Sequence, residues 1–202
     1  GGREMNRRTF LQLSFLGAIG YFLNPLQLFD FQNADARKIS EPEMELPDLQ
    51  FAELELRTMT DSIVIHHSGT ENRKDLSVSE IHKYHRNLGW AGIGYHFVIR
   101  KDGTIERGRY LDTIGAHCYE HNANTVGICL SGNFNYDKPT RKQMNSAKKL
   151  TAWLCQKYHL DPHSDSTLLG HRDLIHGTNC PGMNCYENLD ELRDFCIRKV
   201  RI

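Results

Sequence analysis

A continuous apolar stretch that ends in two histidines constrains the fold of this chain more than any other feature. The run Ser62–Ile65 leads directly into His66 and His67. Uninterrupted β-branched and apolar residues are typical of a strand that is covered on both faces, as in sheets flanked by helices. A second run of this kind, Val126–Leu130, indicates another buried strand.

Helical patterns alternate with these strands. The segments Ser77–Glu80 and Thr140–Gln143 both have the pattern of a capping box, which marks the start of a helix, and Asn188 is expected to cap a last helix. Further strands are predicted at 93–100, 104–109 and 168–170, and the first two are joined by a turn at 101–103. The sequence therefore predicts an α/β fold, a mixed central β-sheet flanked by helices in a single domain.

The N-terminal part of the chain has the pattern of a leader. Residues 1–36 contain a paired-arginine motif, Arg7–Leu11, then a mainly apolar run and a small-x-small cleavage site at Ala34–Ala36. The residues before Met5 are interpreted as tag residues or a misplaced start. This order resembles a twin-arginine signal and predicts export to the periplasm or cell envelope. The alternatives are an N-terminal helix packed on the body and an uncleaved anchor.

The rest of the chain divides into a linker and a body. Residues 37–60 are polar and interrupted by prolines, which predicts a linker with a short docking segment at 51–56. Residues 61–202 contain all 11 His and all 6 Cys, so they form the predicted domain.

The charge balance excludes several kinds of partner. The chain has 25 Lys and Arg against 25 Asp and Glu, so its formal net charge is zero. A nucleic-acid partner is not expected, because binding to phosphate backbones usually needs a basic surface. Membrane contact is expected only through an uncleaved leader, and the protein is expected to be a monomer.

Two strand ends and one loop supply a candidate metal site. His66 and His171 each follow a predicted strand, and Cys180 lies nine residues further on, in a loop made rigid by Pro181. Two His and one Cys leave the fourth position of a tetrahedral Zn²⁺ open, which is typical of catalytic rather than structural zinc. The sequence therefore predicts Zn²⁺ as the cofactor.

Seven segments occur in a characteristic order between residues 62 and 182: 62–68 around His66, 89–97 around Tyr95, 101–104, Gly115–His117, Asn124–Ile128, Gly170–Asp173 and Thr178–Gly182. In this order they resemble the zinc-dependent N-acetylmuramoyl-L-alanine amidases, the family shared by phage lysozyme-type amidases and the peptidoglycan recognition proteins. The resemblance implies a zinc site at the floor of a substrate groove. It also implies hydrolysis of the amide between N-acetylmuramic acid and L-alanine of peptidoglycan stem peptides by a zinc-activated water.

The same resemblance assigns roles to five residues. His66, His171 and Cys180 match the metal ligands, Tyr95 matches the catalytic tyrosine, and Thr178 matches a position that is Lys or Thr in active members. Hydroxyl donors aimed at a developing oxyanion contribute about 3–4 kcal/mol each, and Tyr95 and Thr178 are the candidates. Tyr95 could instead orient the attacking water. The general acid is left open among His67, His96, His117 and solvent.

Other residues are candidates for contact with the substrate. These are His67, Trp90, His96 and His117, although Trp90 is also suited to anchor the core and the last two histidines could be satisfied by backbone groups. Five other histidines are expected on the surface or on a helix face: His82, His85, His121, His159 and His163. Cys129 and Cys155 are expected to be buried, and Cys185 could pair with Cys196 after export.

Two other classes of function compete with the zinc amidase. One is a non-hydrolytic module that binds peptidoglycan or muropeptides; relatives of that kind lack the metal-binding Cys, whereas Cys180 is present here. The other is a structural zinc protein, which would need a fourth ligand.

Overall fold

The computed structural model describes residues 38–71 and 73–200, and these contain a mixed five-stranded sheet. Its strands are β1 (Ser62–His67), β2 (Phe97–Ile99), β3 (Ile105–Arg107), β4 (Thr125–Leu130) and β5 (Leu168–Gly170). The strand order is β3-β2-β4-β1-β5, and only the β2–β3 pair is antiparallel. The predicted mixed sheet is therefore confirmed. The predicted leader, residues 1–36, lies outside the described residues, and export stays a prediction.

Helices follow the strands along the chain. They are α1 (Val78–Asn87), α2 (Arg141–Tyr158), α3 (His171–Leu174), α4 (Met183–Tyr186) and α5 (Leu189–Lys199), with a short 3-10 helix at Asn122–Asn124. The capping boxes at Ser77 and Thr140 are both present. Asn188 precedes α5, but its side chain donates to the carbonyl of Asn184 at 2.7 Å, so the predicted side-chain cap is wrong. Among the described helices, none has the length and apolarity needed to cross a membrane.

The two faces of the sheet pack against different helices, because side chains alternate along each strand. Residues 63, 65, 97, 99, 126, 128 and 130 form the larger core together with α2 and α5. Val98 and Cys129 lie on the other face in a smaller core with Val78 and Ile81 of α1. His66 is paired with Cys129 in the parallel register of β1 and β4, and this register places His66 beside the smaller core.

Residues 39–57, within the segment predicted as a linker, run along the body and hydrogen-bond to it. The amide of Glu45 donates to Ile105, and the amide of Ala52 donates to Ala91. Arg57 is buried and reaches several backbone carbonyls of the body. These residues belong to the same compact unit as the sheet.

Candidate active site

His66, His171 and Cys180 meet at the carboxyl ends of β1 and β5. One ligand atom from each lies within 4.8 Å of the other two. The Sγ of Cys180 is 3.6 Å from Nδ1 of His66, and the rings of His66 and His171 have centroids 4.6 Å apart. The structure thus brings together three residues that are separated by up to 114 positions in the sequence.

This cluster fits a zinc ion. Zinc bonds of about 2.0–2.3 Å in a tetrahedral arrangement separate neighbouring ligand atoms by roughly 3.5 Å. The 3.6 Å between Nδ1 of His66 and Sγ of Cys180 agrees with that spacing. Two imidazole nitrogens and one sulfur are also a donor set that zinc prefers. Among the described residues these three form the only such cluster, so no fourth protein ligand is found there.

The loop that carries Cys180 is held from the side of α3. The amide of Arg172 donates to the carbonyl of Cys180 at 2.9 Å, and its guanidinium donates to the carbonyl of Asn179. The same guanidinium lies 4.8 Å above the ring of Tyr186, whose hydroxyl donates to Asp173 at 2.6 Å. These contacts fix the sulfur relative to His171, which begins α3.

Burial keeps the imidazoles of the site neutral. It lowers the pKa of His66 well below the usual value, and the neighbouring His117 and His171 lower it further. Burial also lowers the pKa of His171. A neutral imidazole offers a lone pair to a metal, whereas a protonated one cannot bind it. Burial raises the pKa of Cys180 to about 12, although a hydrogen bond from the backbone of His67 acts in the opposite direction.

Tyr95 and Thr178, the two predicted catalytic residues, lie at the edge of this cluster. The ring of Tyr95 packs 5.2 Å from that of His66. Burial raises the pKa of Tyr95 well above the usual value, so the phenol remains a donor at neutral pH. The Oγ1 of Thr178 accepts from the amide of Cys180 at 3.1 Å, which leaves the hydroxyl proton of Thr178 able to donate to another group.

The three histidines expected near the substrate are buried. The Nδ1 of His67 accepts from the amide of Phe134 at 3.1 Å. His96 is fully buried, and its Nδ1 accepts from the amide of Gly127 at 3.0 Å. His117 lies against His66, with 3.0 Å between its Nδ1 and Nε2 of His66. All three side chains therefore bond to the protein: His67 and His96 accept from backbone amides, and His117 lies against the side chain of His66.

Trp90, the fourth expected contact residue, remains accessible. It is 40% exposed and packs on His85, with ring centroids 4.5 Å apart. His85 in turn packs 5.8 Å from Tyr95. A row of packed rings thus extends from Tyr95 through His85 to Trp90, beyond the end of α1.

Three features of the site were not predicted. His85, expected on the surface or on a helix face, is buried, because it shares the inner side of α1 with Val78 and Ile81. The Nδ1 of His85 accepts from the amide of Gly94 at 3.0 Å. His85 lies seven residues after Val78, and this helical spacing could have indicated that its side chain is buried. The contacts of Arg172 and Asp173 that support the ligand loop had no signal in residue spacing.

The cysteines outside the cluster are free. Cys129 and Cys155 are buried, as predicted. Cys196 lies against Cys155 and Thr151, with its Sγ 3.4 Å from Oγ1 of Thr151, and it is not paired with Cys185, the partner that the sequence allowed. The packing of α5 on α2 therefore decides which cysteines are neighbours.

The mixed sheet carries two histidines and a cysteine at its carboxyl edge. This arrangement places the chain among the α/β proteins that have a three-ligand site suited to zinc. The family model for N-acetylmuramoyl-L-alanine amidase matches residues 56–183, and the chain belongs to this family. The predicted family is confirmed.

Individual relatives agree with this assignment. An endolysin of Escherichia phage T7 is 39% identical over 108 residues, which are 50% of this chain and 71% of that protein. The solved N-acetylmuramoyl-L-alanine amidase LysC from Clostridium intestinale URNW is 35% identical, with a TM-score of 0.68, over 75% of this chain and 97% of LysC. Wild-type Drosophila PGRP-LB, at 28% identity, gives a TM-score of 0.65 over 73% of this chain and 92% of PGRP-LB.

Proposed function

We propose that this protein hydrolyses the amide between N-acetylmuramic acid and L-alanine of peptidoglycan stem peptides, with a zinc ion held by His66, His171 and Cys180. The observation that carries the proposal is the cluster of these three side chains beside Tyr95. Family membership and the similarity to an endolysin and to the amidase LysC support the same reaction.

The metal and the protein contribute different parts of the chemistry. Zinc, when bound, supplies a Lewis acid that polarises the scissile carbonyl and makes an attacking water more acidic. The protein holds three neutral or thiolate donors in place and leaves one side of the cluster without a protein ligand among the described residues.

The hydroxyls of Tyr95 and Thr178 act on the oxygen that becomes negative during attack on the amide. Each has a proton to donate: burial keeps the phenol of Tyr95 protonated, and Thr178 uses only its lone pair toward the amide of Cys180. Donors that are already in place when charge develops lower the barrier without reorganisation. Because His67, His96 and His117 bond to other protein groups, proton transfer to the leaving amine falls to solvent in this proposal.

The test uses purified full-length protein and a muramoyl peptide, with product followed by mass spectrometry. Wild-type protein is expected to release the peptide and to stop doing so when zinc is removed by a chelator. Cys180→Ser is expected to lose turnover and to retain its fold by circular dichroism. Turnover that persists after chelation would contradict the zinc mechanism. Binding of the muramoyl peptide without cleavage would favour the alternative function, a peptidoglycan-binding module.

Export is a separate part of the proposal. The paired arginines Arg7 and Arg8, the apolar run and the site at Ala34–Ala36 support it. A fusion of residues 1–36 to a reporter that is active only after export tests it, with Arg7→Lys and Arg8→Lys together as the matched control. Reporter activity equal to that of a fusion without these residues would contradict export.

A further inference from the structure

The two nitrogens of His66 face different partners. Its Nδ1 lies 3.6 Å from Sγ of Cys180, on the side of the ligand cluster. Its Nε2 lies 3.0 Å from Nδ1 of His117, on the opposite side. A metal ligand needs a lone pair on Nδ1, and a neutral imidazole with a lone pair there carries its proton on Nε2. His66 therefore has to donate to His117.

A chain of hydrogen bonds makes His117 the acceptor. The hydroxyl of Thr125 donates to the carbonyl of His121 at 2.6 Å, so its oxygen offers only lone pairs to other groups. Nε2 of His117 lies 3.5 Å from this oxygen, and it can bond there only as a donor. With its proton on Nε2, a neutral His117 has a lone pair on Nδ1, which faces His66. The hydrogen bonds therefore run in one direction: His66 donates to His117, His117 donates to Thr125, and Thr125 donates to the carbonyl of His121.

Two glycines form the slot that holds the ring of His117. A Cβ added at Gly115 or at Gly127 would lie 2.5 Å from Cδ2 of His117, a distance that real side chains do not tolerate. Asn122 fixes the backbone, because its Oδ1 accepts from the amides of His117 at 2.8 Å and Cys118 at 2.9 Å. Position and orientation of the ring are thus set from both sides.

We propose that His117 is a positioning residue that fixes the tautomer and the ring orientation of His66 for metal binding. The inference rests on the zinc site of the proposed function, and it extends that site to a residue that acts through His66. Partners of this kind generally change metal affinity or activity by 10–100-fold when they are removed.

Zinc affinity of the full-length protein, measured by competition with a chromophoric chelator, tests the proposal without reference to amidase activity. His117→Leu is expected to weaken zinc binding by about 10–100-fold. His117→Gln retains an oxygen that can accept from Nε2 of His66, and it is expected to recover most of the affinity. His85→Leu is the matched control, because it removes another buried neutral histidine that accepts a hydrogen bond from a backbone amide. It is expected to leave zinc affinity within roughly threefold of wild type.

The visible spectrum of the Co²⁺-substituted proteins gives a second measurement, because it reports the coordination geometry. It is expected to change in His117→Leu and to stay close to wild type in His117→Gln and His85→Leu. Equal zinc affinity in wild type and folded His117→Leu would overturn the proposal. So would equal losses in His117→Leu and His85→Leu.

A measurement on the wild-type protein covers the case in which His117→Leu does not fold. Long-range ¹H–¹⁵N correlation spectra of the zinc-loaded protein identify the protonated nitrogen of each imidazole. We expect the proton on Nε2 in both His66 and His117, and a proton on Nδ1 of His117 would overturn the proposal. If zinc binding and tautomers agree but no muramoyl peptide is cleaved, the proposed function fails and this inference does not.

Discussion

The guanidinium of Arg57 lies 2.9 Å from Nε2 of His96, and the two groups share the carbonyl of Thr113 as a hydrogen-bond acceptor. Nδ1 of His96 accepts from the amide of Gly127, so its proton is on Nε2 and goes to the carbonyl of Thr113 at 2.9 Å. Arg57 donates to the same carbonyl at 3.2 Å. After burial and His117, the charge of Arg57 contributes to keeping the pKa of His96 well below its usual value.

Removal of Arg57 is therefore expected to destabilise the fold. Its guanidinium also donates to the carbonyls of Leu111 and Thr125, and Arg57→Met would leave buried acceptors without partners. We expect a loss of roughly 3 kcal/mol in the free energy of unfolding, measured by urea denaturation. Arg73→Met, which breaks the exposed pair with Asp137, is the control and is expected to cost at most about 1 kcal/mol. Similar losses in the two variants would refute this role of Arg57.

The importance of Arg57 shows where sequence patterns were insufficient. Apolar periodicity and capping boxes predicted α1 and α2, because burial of an apolar side and satisfaction of free amides are local requirements. Residues 39–57 have no such period, and they attach to the body through backbone hydrogen bonds and one buried arginine. Composition alone indicated a linker, since long-range backbone contacts leave no repeat in the sequence.

In the site, too, local sequence patterns predicted some residues, whereas long-range contacts determined others. His66, His171 and Cys180 could be predicted because each follows a strand or lies in a rigid loop, and the structure brings them together. The positions of His96 and His117 could not be predicted, since both were equally suited to a groove or to backbone contacts. The close approach of Gly127 to the ring of His117 depends on the pairing of β4 with β1, which a single sequence does not specify.

Tyr95→Phe is expected to lower kcat and to leave zinc content unchanged. The ring would keep its contact with His66, and only the hydroxyl would be lost. Loss of one oxyanion donor typically reduces kcat by about 100–1000-fold. Steady-state kinetics with a muramoyl peptide measure this effect, and KM is expected to change little. Tyr110→Phe, at a tyrosine that is 54% exposed, is the control. Activity of Tyr95→Phe within threefold of wild type would exclude the donor role.

Thr178 can be separated from its neighbours by a pair of substitutions. Thr178→Ser keeps the oxygen that accepts from the amide of Cys180, and we expect kcat within a few fold of wild type. Thr178→Val removes both this acceptor and the hydroxyl donor, and kcat is expected to fall at least about 10-fold, which corresponds to 1.4 kcal/mol. Kinetics and zinc content are measured together. Equal activity of the Ser and Val variants would show that the hydroxyl is not needed.

Acid is expected to destabilise the protein in part through His85. Burial lowers its pKa from 6.5 to about 4 in the folded state. Between these values the unfolded chain holds the proton and the folded protein does not, so stability falls as pH decreases. The contribution of neutral His85 to the free energy of unfolding is complete above pH 6.5. It is lost as the pH falls toward 4 and changes no further below that pH.

Urea denaturation at several pH values measures this effect. One group can contribute a slope of at most about 1.4 kcal/mol per pH unit, and His85→Gln is expected to reduce the slope of wild type by a large part of that amount. His163→Gln, at an exposed histidine, is the control and is expected to leave the slope unchanged. If stability falls with pH as steeply in His85→Gln as in wild type, other groups account for the acid effect.

Zinc is expected to stabilise the folded protein through the cluster of His66, His171 and Cys180. A ligand that binds only the folded state adds about 2.7 kcal/mol at a concentration 100 times its Kd. The melting temperature of metal-free protein is therefore expected to rise when zinc is added and to fall again after chelation.

Cys180→Ser is expected to show a much smaller rise, because the sulfur ligand is gone. Cys155→Ala provides the matched control: it removes a thiol from the core around α2, so its melting temperature is lower but its rise with zinc should equal that of wild type. An equal rise in Cys180→Ser and wild type would place zinc elsewhere.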